Sequence, residues 1–171
     1  MEELFKWLSI SFAIGCTIHN LEEALFLPAW ARHNMRKLPF VPNAKIYWAL
    51  TSIISVFIWL VVWGALETNI SVIQNLLIAI SLAMAINAVF PHLAISLIKK
   101  SYSPGTLSGV VLNLPLGGGI IFYKLGQGLV LDWPQVILLA LLYGFFAFGA
   151  LYLWHHKIGA SSKKGDVSTA L

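Results

Sequence analysis

Charged side chains are scarce in this 171-residue chain. Asp, Glu, Lys and Arg together make up 11% of it, whereas ordinary soluble domains carry roughly a quarter. Apolar residues make up 58%, and the mean hydropathy is +0.81. A surface so poor in charge aggregates in water and is stable only in lipid. The shortage of charge therefore predicts an integral membrane protein and excludes an ordinary soluble globule.

Cysteine and strand-like alternation are also lacking. Cys16 is the single cysteine, so neither a disulfide framework nor a thiolate zinc cluster can form within one chain. The apolar runs are uninterrupted stretches of Leu, Ile, Val and Ala, without the ten-residue alternation of membrane barrel strands. The sequence therefore predicts an all-α polytopic bundle.

Five runs are long enough to cross a bilayer, which takes about 20 apolar residues. We expect one transmembrane domain over residues 1–158 and a disordered cytoplasmic tail over residues 159–171, where small and polar residues dominate. The predicted spans are residues 4–27, 46–66, 70–98, 107–125 and 134–154.

The positive charges predict one orientation. Nine of the 11 Lys and Arg residues fall in the first loop, the third loop and the tail, and the other two, Lys6 and Lys124, lie on the opposite side. Because cytoplasmic loops are enriched in Lys and Arg, we expect the N-terminus outside and the C-terminus in the cytoplasm. We attribute the excess of Lys and Arg over Asp and Glu, a net charge of +4, to this orientation and not to nucleic-acid binding. A C-terminal reporter active only outside the membrane would contradict it.

Three polar side chains share a face near the end of the first span. At 100° per residue, Glu22 and Glu23 lie about 60° and 40° to either side of His19. The simplest interpretation is that both glutamates face headgroups and water. Against it, carboxylates near a helix C-terminus oppose the macrodipole by about 0.3 to 1 kcal/mol, and a charge at membrane depth costs a few kcal/mol. A bound cation would offset both costs.

Other spans bring polar groups to a similar level. His92 in span three and Asn113 in span four lie, like His19, roughly 10 to 13 Å from the cytoplasmic ends of their spans, and Asn87 precedes His92 by five residues. Taken alone, each of these residues is as readily a packing or interhelical hydrogen-bonding group. Convergence from three segments favours a functional site in the cytoplasmic third of the bilayer.

Span four carries small residues at every fourth position. Gly105, Gly109, Asn113 and Gly117 form this stripe, which allows another helix to approach closely. Pro115 and the three glycines after it are expected to kink or loosen the span. The preceding residues 103–106, with Pro and Gly at the central positions, suit a type II turn.

These motifs resemble the HXXEE family of integral membrane proteins. The resemblance rests on His19-Asn20-Leu21-Glu22-Glu23, on the later His92, and on Tyr102-Ser103-Pro104-Gly105. It implies an enzyme of undefined reaction and supplies no substrate. Intramembrane glutamate proteases also pair glutamates with histidines, but their pattern requires an arginine where this chain has Leu27.

The spacing predicts a metal site. His19 and Glu23, at positions i and i+4, are ligand candidates together with His92, and Glu22 is the candidate general base, as in inverted zinc motifs. Two histidines, one carboxylate and an open position favour zinc-type hydrolysis. Too few glutamates are available for a di-iron centre. Stabilising hydrogen bonds are assigned to Tyr102, Asn87 and Asn113.

We therefore expect a metal-dependent hydrolase acting on a lipid or other amphiphile at the cytoplasmic interface. One alternative is a proton or metal-ion transporter or channel, which the lack of an internal repeat weakens and which would require a homo-oligomer. The other is a non-catalytic assembly subunit whose polar cluster is a satisfied hydrogen-bond network.

Overall fold

The computed structural model describes residues 2–34, 44–128, 131–147 and 149. Within these ranges the chain is helical and contains no strand, which confirms the predicted all-α class. The helices are α1 (Glu2–Asn34), α2 (Ala44–Glu67), α3 (Ser71–Lys99), α4 (Thr106–Gly126) and α5 (Trp133–Ala147).

Three of the described helices are long and apolar enough to cross a membrane. They are α2 with 24 residues, α3 with 29 and α4 with 21. Their bounds agree within two residues with the predicted spans 46–66, 70–98 and 107–125, because Leu, Ile and Val runs of this length favour helix and end where polar residues begin. These three helices therefore have the length and apolarity expected of membrane spans.

The first and fifth predicted spans are not among those three helices. α1 covers the predicted span 4–27 but continues through Pro28 to Asn34, 33 residues in all. α5 is described as an apolar helix only as far as Ala147. The end of predicted span 134–154 and the predicted tail 159–171 lie outside the described residues. That α1 and α5 also cross the membrane stays a prediction.

The outer surface of the bundle is apolar. Large side chains such as Phe122, Ile98 and Phe145 are 76%, 78% and 79% exposed. In the most apolar 18-residue stretch of each helix, only 33% of α2, 44% of α3 and 28% of α4 is buried within the protein. The remaining apolar surface needs hydrocarbon around it, which supports a location in lipid.

α1 packs against α2 and α4. The main core is formed where α1 meets α2, α3 and α4, and includes the fully buried Phe12, Cys16, Leu77 and Ile120. A smaller cluster around Ile78 and Val136 attaches α5 to α3. The two clusters therefore join all five described helices.

The glycine stripe of α4 permits the predicted close approach. A Cβ added to Gly109 would lie 3.1 Å from the Cβ of Ala88, and one added to Gly117 would lie 2.7 Å from the carbonyl oxygen of Ser81. Real Cβ atoms do not tolerate the second distance, so the main chains of α4 and α3 meet directly at Gly117. The stripe therefore sets the separation of these two helices.

Both α3 and α4 contain one wide turn. In α4 it is of π-helical type, whereas in α3 it is a kink over Ala88–Leu93, where Phe90 is extended (φ −133°, ψ 118°) and Pro91 has no N–H. In an ideal α-helix, residues five apart point about 140° away from each other. The kink changes this relation, so that Asn87 and His92 both face His19.

The wide turn of α4 covers Gly109–Asn113 and is followed by regular helix over Leu114–Gly126. The predicted loosening thus falls one turn before Pro115 and not on the glycines after it. The physical reason is that a proline cannot donate to the carbonyl four residues earlier, which here belongs to Val111. The two wide turns pack against each other.

Candidate metal centre

Three of the predicted ligands meet in the structure. One donor atom each from His19, Glu23 and His92 lies within 4.8 Å of the other two. Oε1 of Glu23 is 2.7 Å from Nε2 of His92 and 3.6 Å from Nε2 of His19. His19 and Glu23 come from adjacent turns of α1, and His92 comes from the wide turn of α3. The predicted convergence of these residues is present in the geometry.

The arrangement suits a small tetrahedral ion. The imidazole rings of His19 and His92 are nearly perpendicular, with an interplanar angle of 87° and centroids 5.1 Å apart. Zinc with ligands at about 2.0 to 2.1 Å places its ligand atoms about 3.4 Å from one another. The widest separation in the cluster therefore has to shrink by no more than about 1.4 Å. Three protein ligands leave the fourth position open.

Glu22 and the adjacent Glu23 accept hydrogen bonds from different parts of the protein. Its carboxylate accepts hydrogen bonds from the hydroxyl of Tyr102, from the N–H of Gly105 at 2.8 Å, and from both the N–H and the hydroxyl of Ser108. Gly105 and Ser108 open α4, where N–H groups have no partner within the helix. Glu22 therefore caps α4 and joins it to α1.

Ser108 also fixes the tautomer of His19. Its hydroxyl donates to Glu22, so its oxygen is left to accept from Nδ1 of His19, 3.1 Å away. With the proton on Nδ1, Nε2 of His19 carries a lone pair. That lone pair faces the amide of Asn87 and also lies 3.6 Å from Oε1 of Glu23, a second acceptor. Such a pair attracts a cation. In metal sites a carboxylate commonly orients a ligand histidine, as Glu22 here orients His19 through the hydroxyl of Ser108.

Two further side chains touch the cluster. Nδ2 of Asn87 lies 3.2 Å from Nε2 of His19, so the predicted site residue Asn87 is brought to the centre. The hydroxyl of Tyr47, on α2, donates to Oε2 of Glu23 at 3.4 Å. Four of the predicted residues and Tyr47 therefore surround one small volume.

The turn before α4 adopts the predicted type II conformation. The N–H of Thr106 donates to the carbonyl of Ser103 at 3.1 Å, and Gly105 has φ 90° and ψ −14°, the values that favour glycine at the third position. The hydroxyl of Ser96 on α3 accepts from the N–H of Ser103 at 2.9 Å. The turn is thereby attached to α3 as well as to α1.

Gly105 is packed directly against the two histidines. A Cβ at this position would lie 2.6 Å from Cε1 of His92 and 3.0 Å from Cε1 of His19. Tyr102, three residues earlier, is 52% exposed. Partial burial and the hydrogen bond to Glu22 raise the pKa of Tyr102 to about 12. Its hydroxyl therefore remains a protonated donor to Glu22 at physiological pH.

Asn113 does not reach the cluster. It is fully buried and lies beside Gly15, one turn of α1 before His19, and its side-chain atoms have no hydrogen-bond partner among the described residues. Because α4 runs antiparallel to α1 and meets His19 at Ser108 and Gly109, Asn113 lies about one turn, or 5 Å, deeper. His19, His92 and Asn113 were predicted to lie at one depth along the bundle. Only the two histidines do so.

A cavity of about 220 Å³ adjoins the cluster. His19, Glu23 and His92 form one part of its wall together with Asn87 and Tyr47, and the rest is mostly apolar. Its walls come from α1, α2, α3 and α5, and include Leu27, Leu50, Ile54, Met84 and Tyr143. The cluster is thus reachable from a cavity, although His19 and His92 are only 1% and 4% exposed.

Two residues that contact the cluster, Tyr47 and Ser108, are not predicted by the residue pattern. Ser108 stands three residues after Gly105 and next to Gly109, so the glycine stripe was a usable signal that it faces another helix. Tyr47 offered no such signal, because the pairing of α2 with α1 is a tertiary feature that residue spacing does not encode.

Comparison with known proteins places the chain in a family. The family model described as a protein of unknown function with an HXXEE motif matches residues 10–120. The uncharacterized protein YrkK of Bacillus subtilis (strain 168) is 30% identical over 143 residues, which cover 83% of this chain and 89% of the relative. No solved structure matches the chain. The matched range includes the histidine and glutamate motif, His92 and the turn before α4, and the protein belongs to the HXXEE family.

Proposed function

We propose that the protein is an intramembrane metal-dependent hydrolase whose metal is held by His19, Glu23 and His92. The observation that carries the proposal is the meeting of these three donor atoms within 4.8 Å at the wall of a cavity. The lone pair of His19 and the carboxylate of Glu23 support it further, because two acceptor atoms 3.6 Å apart can bind one cation.

Zinc fits this donor set best. Two imidazoles and one carboxylate, with an open fourth position, are a common ligand set of hydrolytic zinc sites. Such a metal lowers the pKa of bound water to about 7 and polarises a carbonyl or phosphoryl oxygen. In the metal-free protein Nε2 of His92 donates its proton to Glu23 at 2.7 Å, so metal binding at Nε2 requires that proton to move to Nδ1 or to leave.

The surrounding residues take distinct roles in the proposal. The four hydrogen bonds that Glu22 accepts from residues 102–108 support a positioning role, exerted on His19 through Ser108, more than the predicted role of general base. Asn87, whose amide already reaches His19, is placed to donate to a substrate oxygen as charge develops on it. Tyr102 donates to Glu22 and supports the same arrangement.

The substrate in this proposal is an amphiphile with a hydrolysable ester, amide or phosphate group. With the N-terminus outside, as the charge distribution favours, the cluster lies toward the cytoplasmic ends of α1 and α3. A site at that depth meets molecules whose heads are polar and whose tails are in lipid. The mostly apolar cavity wall supports this class of substrate over a water-soluble one.

Metal content tests the proposal most directly. The full chain, purified in mild detergent with a histidine-free tag and without chelators, is expected to contain close to one zinc per chain by elemental mass spectrometry. His19→Ala and His92→Ala are each expected to lose it. His33→Ala is the matched control, because this histidine lies on α1 outside the cluster, and it is expected to keep the metal.

Three outcomes would contradict the proposal. A wild-type protein that binds no zinc, iron or manganese after titration with each ion would leave a hydrogen-bonded network as the role of the cluster. Metal bound equally by the wild type and both histidine variants would place the ion elsewhere. Ion or proton flux in liposomes without any turnover of lipid esters would favour the transporter alternative.

Ser108→Ala is expected to weaken zinc binding by about 10- to 100-fold, the effect typical of removing a hydrogen-bond partner of a ligand histidine. The variant keeps all three ligands but no longer holds the proton on Nδ1 of His19. Ser96→Ala is the control, because it removes a hydroxyl that holds the same turn but does not contact His19. Equal zinc affinity in the two variants, measured by competition with a chromophoric chelator, would show that Ser108 has no such role.

A further inference from the structure

A second cavity lies in the wall of the bundle between α2, α3 and α5. Its volume is about 360 Å³, and its lining is apolar apart from the hydroxyl of one tyrosine. The lining residues are Ile53, Ile54, Phe57, Leu76, Leu139, Leu142, Tyr143 and Phe146. We call this cavity the α2–α5 groove.

The groove adjoins the cavity of the metal centre. Ile54 and Tyr143 line both. Tyr143 is held at this junction by stacking on Phe57, with ring centroids 6.5 Å apart, and by a contact of its hydroxyl with Sδ of Met84 at 3.6 Å. The two cavities therefore share a wall of two side chains, one of which is fixed in place by its neighbours.

The groove begins about 10 Å from the metal centre along α2 and lies toward the middle of the bundle. Tyr47 contacts Glu23, and Ile54 and Phe57 follow Tyr47 on α2 by seven and ten residues, or about 10 and 15 Å along the helix axis. Phe57 is thus near the middle of α2, a helix apolar enough to cross a membrane. The polarity falls along this path, from histidines and a carboxylate to aliphatic and aromatic side chains.

The groove also opens to the outside of the bundle. Leu142 and Phe146, on its α5 side, are 54% and 65% exposed. In a membrane that outside is hydrocarbon. A lipid chain could therefore enter the groove sideways, without leaving the apolar phase.

We propose that the α2–α5 groove binds a hydrocarbon chain of the amphiphile whose polar head lies at His19, Glu23 and His92. This inference rests on the proposed function and narrows its substrate to a molecule with a long unbranched chain. The chain lies along α2 with its far end near Phe57 and Leu76. Burial of its methylene groups against protein holds the scissile bond near the metal centre.

Photocrosslinking with a 16-carbon fatty acid that carries a diazirine near its methyl end tests this proposal. A fatty acid is the product of ester or amide hydrolysis, so it carries the relevant chain and a head that can meet the metal. With the full chain in lipid nanodiscs, crosslinks are expected on the α2 and α5 residues that line the groove. An excess of unlabelled hexadecanoate should suppress them at least fivefold, and octanoate should not.

Paired tryptophan variants on α5 supply the control. Leu142→Trp fills the groove and is expected to lower crosslinking at least fivefold, whereas Leu141→Trp, at an adjacent residue that is 67% exposed and does not line the groove, should leave it unchanged. Both variants should keep the zinc content of the wild type. Crosslinks spread evenly over the outer surface, equal suppression by the two fatty acids, or equal labelling of the two variants would overturn the proposal. Competition by unlabelled hexadecanoate and octanoate uses the wild-type protein, so it tests the groove proposal even if Leu142→Trp does not fold.

Metal content separates the two possible failures. If zinc is bound but the crosslinks do not map to the groove, the metal centre stands and the groove proposal is wrong. If the crosslinks map to the groove but no metal is bound, the groove binds a lipid chain and the hydrolase proposal is wrong.

Discussion

Glu23→Gln is expected to lower zinc affinity at least 100-fold while changing the stability of the metal-free protein by no more than about 1 kcal/mol. Glutamine has the shape of glutamate, so its amide oxygen can still accept from His92, and its NH2 group can donate to the hydroxyl of Tyr47, which can rotate to accept. It lacks the negative charge that attracts the ion, and its amide oxygen is a weaker zinc ligand than a carboxylate. The side chain is 13% exposed, so little water is available to compensate.

This pairing of effects distinguishes a metal centre from a structural network. If the cluster serves only to hold α1, α2 and α3 together, Glu23→Gln should reduce stability and have no effect on metal content. Chelator competition gives the zinc affinity, and thermal unfolding in detergent with EDTA gives the stability of the metal-free form. Glu67→Gln, at the far end of α2, is the control and should change neither quantity.

Gly105→Ala is expected to abolish metal binding and to destabilise the protein more than any other alanine substitution at a glycine outside regular helix. Two costs combine at this position. Alanine at φ 90° costs about 1 kcal/mol or more, and the new Cβ would lie 2.6 Å from the ring of His92. Either the two imidazoles or the turn must move. A movement of the turn also displaces the N–H of Gly105, which donates a hydrogen bond to Glu22.

Gly128→Ala separates these two costs. Gly128 also has a positive φ, 70°, but a Cβ there would meet nothing within 4 Å. Its substitution therefore reports the conformational cost alone, and zinc binding should be unaffected. The relevant measurements are zinc content and the midpoint of thermal unfolding for the two variants. Normal zinc binding by Gly105→Ala would show that the turn and the histidines can separate without loss of the site.

The residue pattern predicted much of the site because two of its ligands share one helix. His19 and Glu23 are one helical turn apart, and helical periodicity alone places them together. The limits of α2, α3 and α4 were also predictable, since they depend on the length of apolar runs. The type II turn followed from Pro104 and Gly105, whose preferred dihedral angles require it.

Tertiary geometry explains what the sequence could not give. Regular helical periodicity places Asn87 and His92 on different faces, and only the wide turn around Phe90 and Pro91 brings both to His19. The same rule applied to α4 put Asn113 at the site, whereas its antiparallel register against α1 brings Ser108 there instead. The two adjacent glutamates looked equivalent, and the difference between Glu22 and Glu23 depends on which neighbouring segment each one meets.

In the proposed arrangement, with α1 crossing the membrane, the length of α1 ties the proposed metal centre to the thickness of the bilayer. Glu23 follows Glu2 by 21 residues, or about 32 Å of helix, close to the hydrocarbon thickness of about 30 Å. With the acidic N-terminus at the outer surface, as proposed, a bilayer of average thickness places the cluster at the inner boundary between hydrocarbon and headgroups. Longer acyl chains in the host membrane would draw the cluster into hydrocarbon, and shorter ones would expose it to water. Hydrophobic mismatch would then tune how readily the site meets water and the scissile bond of a lipid, without any change in the protein itself.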